Sequence, residues 1–100
     1  MSIVYCDAKR IGYNLYLIGY CDELMFEGHT EMFNGDNNEA ELKAVQLALE
    51  KYPGADVIYT DSQYTVSRID NEKVKHIPRE QNQCDIYLRM NKYYKSAKRL

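Results

Sequence analysis

Apolar residues recur along this chain with two periods, and the switches between them mark off its elements. Ser2 to Asp7 holds a short apolar run with Ile3, Val4 and Tyr5, Tyr13 to Tyr20 alternates and is rich in aromatics, and Leu24 to Glu27 is a shorter apolar run before Gly28. These predict three strands. The Ile11-Gly12 and Cys21-Asp22-Glu23 junctions are short enough for hairpin turns, so an antiparallel meander is the economical connection. Gly28 to Asn37 is polar and reads as a loop.

The period then lengthens. Leu42, Val45 and Leu49 recur at helical spacing with Ala44 and Ala48 beside them, and Pro53-Gly54 closes the pattern, which predicts a helix to about Tyr52. Asn37 or Asn38 reads as its N-cap, with Glu39 and Glu41 complementing the positive helix end. Glu41 falls on the Ala44, Val45, Ala48 side and should lean toward the sheet. Ala55 to Thr60 follows as a strand, parallel to the first because a helix intervenes. A turn or short helix over Ser62 to Ile69 and a strand over Lys73 to Ile77 come next. From Gln81 onward a final helix carries the stripe Ile86, Met90, Tyr93, Ala97, Leu100. The fold class is α/β: a mixed five-stranded sheet, three strands in a meander and two parallel, with flanking helices.

A length of 100 residues suits one domain, residues 1–100. With 45% hydrophobic and 28% charged residues the composition is globular, which excludes a disordered chain. Cys6, Cys21 and Cys84 fit neither a disulfide framework nor a zinc site, so reduced thiols and a cytoplasmic location are expected. The pattern shows neither a signal peptide nor a membrane span, and no membrane partner is expected. Net charge is −2, but Leu88 to Leu100 holds Arg89, Lys92, Lys95, Lys98 and Arg99 and no acid. An acidic body with a basic tail suits a cation pocket beside a phosphate-gripping helix.

Four carboxylates stand in distinctive settings: Asp7 ending the first apolar run, Glu41 opening the long helix, Asp61 at the carboxyl end of a parallel strand, and Asp85 in the first turn of the last helix. Ligands of open sheets gather where parallel strands end. Acids at adjacent strand ends repel unless a cation sits between them.

The order strand-Asp, three-strand meander, Asn37-Asn38-Glu39-Ala40-Glu41-Leu42, then Thr60-Asp61-Ser62-Gln63-Tyr64, strand, and a helix entered through Asn82-Gln83-Cys84-Asp85 resembles ribonuclease H of type 1 over nearly the whole chain. The resemblance implies a ribonuclease H-like sheet and a catalytic, metal-binding quartet of Asp7, Glu41, Asp61 and Asp85. It also implies an endonuclease that cleaves the RNA strand of RNA/DNA hybrids with two Mg²⁺ or Mn²⁺ ions. Asp7 would bridge the ions, with Glu41 and Asp61 toward one and Asp85 toward the other. Asn38 and Gln63, with Asn37 beside them, would touch the minor groove, and Arg89 and Lys92 of the basic helix would hold phosphates. Two divalent cations about 4 Å apart suit phosphodiester hydrolysis, and hard carboxylate oxygens favour these metals.

The chain departs from the family pattern in places. Asp7-Ala8-Lys9 replaces a small turn and puts a cation near the acids, and the segment after Asp61 is short. The basic protrusion of many members is missing, which points to a protein partner supplying substrate grip. His76 is the nearest candidate for the auxiliary histidine of the family, and Arg79 precedes Asn82 and Asp85 as in some compact members. Two alternatives stand beside the leading reading: another nuclease of this fold, of the Holliday junction resolvase type, and a non-catalytic module binding nucleic acid or protein through its 10 tyrosines.

Overall fold

In the computed structural model, which describes residues 2–25 and 27–98, five strands form one sheet in the order β3-β2-β1-β4-β5. These are β1 (Ile3–Gly12), β2 (Leu15–Asp22), β3 (Gly28–Asn34), β4 (Val57–Thr60) and β5 (Val74–His76). The helices are α1 (Asn37–Lys51), α2 (Gln63–Arg68), α3 (Gln83–Arg89) and α4 (Lys92–Lys98), with a 3₁₀ turn at Arg79–Gln81. β1 to β3 form the expected meander, and β4 and β5 run parallel.

Two clusters bury the faces of this sheet. On one face Val4, Cys6 and Ala8 of β1, with Ile18 and Ile58, meet Ala40, Ala44, Val45 and Ala48 of α1. Three alanines on that helix stripe let α1 approach the sheet closely. Leu17, Cys21, Cys84 and Leu88 make the second cluster, with Tyr5, Ile11, Tyr87 and Tyr94 against it.

Several expected boundaries move. The first strand runs on to Gly12, so Asp7 lies inside it. The hairpin turn is at Tyr13-Asn14, where Asn14 takes a φ of 49°, a left-handed conformation that asparagine tolerates better than most residues. The third strand is Gly28–Asn34, expected to be a loop, and not Leu24 to Glu27, of which Leu24, Met25 and Glu27 lie outside any strand and Phe26 outside the described residues. This is an edge strand, mostly exposed or half-buried, and needs no apolar alternation. Its register, from Cys21↔Gly28 to Leu15↔Asn34, is unbroken.

Asp36, not Asn37 or Asn38, caps α1. Asp36 Oδ1 accepts from the Glu39 amide at 2.8 Å while Glu39 Oε1 accepts from the Asp36 amide at 3.0 Å, a reciprocal capping box. The final helix is two. α3 ends at Arg89, and Asn91 restarts the chain by accepting from the Tyr93 amide at 2.8 Å. The predicted stripe faces outward: Ile86, Met90 and Tyr93 are exposed, and α3 instead buries Cys84 and Leu88. Leu100 and Arg99 lie outside the described residues, as does the Lys98 side chain.

Candidate active site

The site grows from the register of two parallel strands. Tyr5 pairs with Tyr59, so continuing the register brings Asp61 level with Asp7 just where β4 stops at Thr60. Ser62 keeps Asp61 there by capping α2, its hydroxyl accepting from the Thr65 amide at 3.1 Å while its own amide donates to Thr60 Oγ1 at 3.1 Å. Glu41 reaches the same point from the second turn of α1, on the stripe with Ala44 and Ala48 that faces the sheet.

Asp7, Glu41 and Asp61 each present a carboxylate oxygen within 4.8 Å of the others. Asp7 and Glu41 are 2% and 5% exposed, an unusual depth for acids. Asp7 Oδ1 accepts from the Ala8 amide at 2.8 Å, but Asp7 Oδ2 and Glu41 Oε2 make no hydrogen bond. Burial pushes the Asp7 carboxyl up, as does the Asp61 charge, while Lys9 opposes both. Glu41 is pushed up from 4.5 to about 9 by burial first, then by the charges of Asp7 and Asp61. Two deeply buried acids with orphaned oxygens fit a divalent cation, which would satisfy those oxygens and displace the proton Glu41 otherwise holds.

Asp85 stands apart from that trio. It sits in the first turn of α3, as expected, and Lys9 lies between it and Asp7. Lys9 Nζ is 3.4 Å from Asp7 Oδ2 and ion-paired with Asp85 Oδ1, and Arg89 Nε reaches Asp85 Oδ2 at 3.1 Å. The structure therefore gathers Asp7, Glu41 and Asp61 directly and joins Asp85 to them through a lysine.

Asn82 holds this arrangement together. Its side-chain amide donates to the Cys6 carbonyl at 2.9 Å and to Asp61 Oδ2 at 3.4 Å, while its Oδ1 accepts from the Cys84 amide at 3.0 Å and caps α3. One buried residue thus ties β1, Asp61 and the helix carrying Asp85.

The trio opens into a cleft of about 410 Å³, lined also by Ala8, Lys9, Arg10, Tyr16, Asn37, Arg79 and Tyr94. Arg10, Tyr16 and Tyr94 escaped the sequence reading. The period-2 pattern of β1 offered a signal for Arg10, but nothing local marks Tyr94. Asn37 lines the cleft, whereas Asn38 and Gln63, exposed in the first turns of α1 and α2, do not. Arg89 is committed to Asp85, and Lys92 lies over the Tyr93 ring at 5.2 Å. His76 is exposed on β5 and does not line the cleft.

A search of curated proteins returned no significant match. The family model for RNase H matches residues 2–99. That match takes in all four acids, on β1, α1 and α3 and just after β4, and the five-stranded mixed sheet with flanking helices is the one expected. The chain belongs to the RNase H family of nucleic-acid hydrolases.

Proposed function

We propose that this protein is a metal-dependent endonuclease that hydrolyses the RNA strand of RNA/DNA hybrids. The observation that carries the reading is the cluster of Asp7, Glu41 and Asp61 in a chain of this family, with Asp7 and Glu41 buried and one oxygen of each making no hydrogen bond. Mg²⁺ or Mn²⁺ suits the all-oxygen donor set. When bound, such a cation supplies positive charge to the phosphate oxygens and acidifies the attacking water.

The chain's own groups do the rest. Arg10 and Arg79 line the cleft beside the acids and offer donors to phosphate oxygens flanking the reacting bond. Asn37 and Asn38 at the start of α1 and Gln63 at the start of α2 supply amides suited to 2′-hydroxyls in the shallow minor groove. Lys92 and Lys95 on α4 are exposed and extend the positive surface, so binding should weaken with salt. A protein partner that adds grip remains part of this reading, since α2 is only six residues long. A cytoplasmic setting also belongs to it, supported by three buried free thiols.

The test is a substrate panel with Mg²⁺ or Mn²⁺: labelled RNA/DNA hybrid, duplex DNA and a four-way junction, each also offered to Asp61→Asn. Hybrid cleavage that disappears in the variant supports the proposal. Cleavage confined to the junction moves the function to a resolvase, and metal-dependent cleavage of none leaves a binding module.

A further inference from the structure

Lys9 is a buried cation already inside the acidic site. Its side chain is 7% exposed, whereas Arg89, which meets Asp85 from the other side, is 51% exposed. Lys9 and Asp7 are two apart on β1 and so project to the same face, and Lys9 is fixed opposite Leu17 in the β1–β2 ladder. A buried ammonium keeps its charge only when carboxylates compensate it, and Asp7 and Asp85 do so here.

Asp7 therefore has two unlike sides. Toward Glu41 and Asp61 no cation stands: Glu41 Oε2 makes no hydrogen bond, and neither of those acids forms an ion pair among the described residues. Toward Asp85 the gap is filled by the Lys9 ammonium. A second divalent ion between Asp7 and Asp85 would meet that ammonium at close range in a poorly solvated place, where like charges repel strongly.

We propose that Lys9 stands in for a second metal, so that the site takes one divalent ion, held by Asp7, Glu41 and Asp61, with Asp85 serving as the counter-ion of Lys9. This rests on the metal-dependent reading above and replaces its two-ion form with one ion and one fixed ammonium. The ammonium differs from an ion in being permanent. It keeps a hydrogen-bond donor on the Asp85 side of the phosphate at any metal concentration, and it cannot be stripped by a chelator.

Electron paramagnetic resonance of bound Mn²⁺ reads the difference, because two close Mn²⁺ ions couple and one does not. The full chain is loaded with Mn²⁺ alone and with a 2′-O-methyl RNA/DNA hybrid, which keeps the phosphates and resists cleavage. The wild type should give an uncoupled signal in both, and Lys9→Ala should acquire a coupled pair. The double variant Lys9→Met with Asp85→Asn removes both charges of that pair together and should retain one uncoupled ion as in the wild type. A coupled pair in the wild type would overturn the Lys9 assignment and leave the metal-dependent reading standing. So would an uncoupled signal in Lys9→Ala, or loss of the ion from the double variant. Absence of any bound Mn²⁺ in the wild type would overturn both.

Discussion

The side-chain amide of Asn82 donates to the main-chain carbonyl of Cys6, one residue before Asp7, and this buried bond of 2.9 Å locks the entry of α3 onto the central strand. The same amide reaches Asp61, so the positions of two acids and the start of the helix bearing a third depend on it. Asn82→Ala removes the side-chain donor to the Cys6 carbonyl and the cap of α3. The expected loss is about 2–4 kcal/mol, read as a lower denaturation midpoint with unchanged slope.

Two glutamates two residues apart have opposite jobs. Glu39 completes the capping box with Asp36 and is exposed, so Glu39→Ala should cost about 0.5–1 kcal/mol of stability and leave cleavage intact. Glu41→Gln should abolish cleavage and, because it removes a buried group that resists ionisation, raise the melting temperature of the metal-free protein in mildly alkaline buffer. Paired thermal melts and cleavage assays check both.

The raised Glu41 value also fixes the direction of a pH effect. The folded, metal-free protein holds a proton on Glu41 up to about pH 9, whereas the unfolded chain releases it near 4.5. The folded state therefore binds more protons between those values, and metal-free stability should fall as pH rises through that window. A divalent cation held by the proposed trio would displace that proton, so its binding should tighten with rising pH and release protons. Melting curves with and without Mn²⁺ across the window, and calorimetry in buffers of different ionisation enthalpy, measure the two effects.

Gly19 lies opposite Asp7 on β2 and opposite Thr30 on β3. A Cβ there would stand 2.3 Å from the His29 carbonyl and 3.1 Å from Leu88, a conflict with backbone that no rotamer relieves. Gly19→Ala should destabilise by about 1–3 kcal/mol or more, with increased amide exchange in β3 as its signature.

The sequence carried α1 and the parallel strand β4 clearly, because a small-residue stripe and a β-branched run report burial directly. It misplaced β3 because an edge strand has one neighbour and little buried surface, while the apolar Leu24 and Met25 mark a turn in which Met25 takes a φ of 60°. The outward stripe of α3 and α4 misled for a related reason. Ile86, Met90 and Tyr93 keep helical spacing, yet Cys84 and Leu88 are the residues that the sheet receives. For the candidate site, Glu41 and Asp61 stood out through local motifs, whereas Asp7 was expected at the end of the first strand and lies inside it. The Lys9–Asp85 pair was not legible, since it depends on how α3 docks on β1, a relation between residues 76 apart that only packing decides.

Asp7, Glu41 and Asp61 are proposed to hold a catalytic divalent cation for hydrolysis of RNA in hybrids. The most direct test is a Mn²⁺ titration of RNA-strand cleavage in a labelled hybrid by the wild type and Asp7→Asn, with calorimetric Mn²⁺ binding on the same samples. Cleavage by the wild type should rise with Mn²⁺ occupancy and stop on chelation, and the variant should lose both binding and cleavage. Cleavage that persists in the chelated protein, or Mn²⁺ binding by Asp7→Asn equal to that of the wild type, would contradict the proposal.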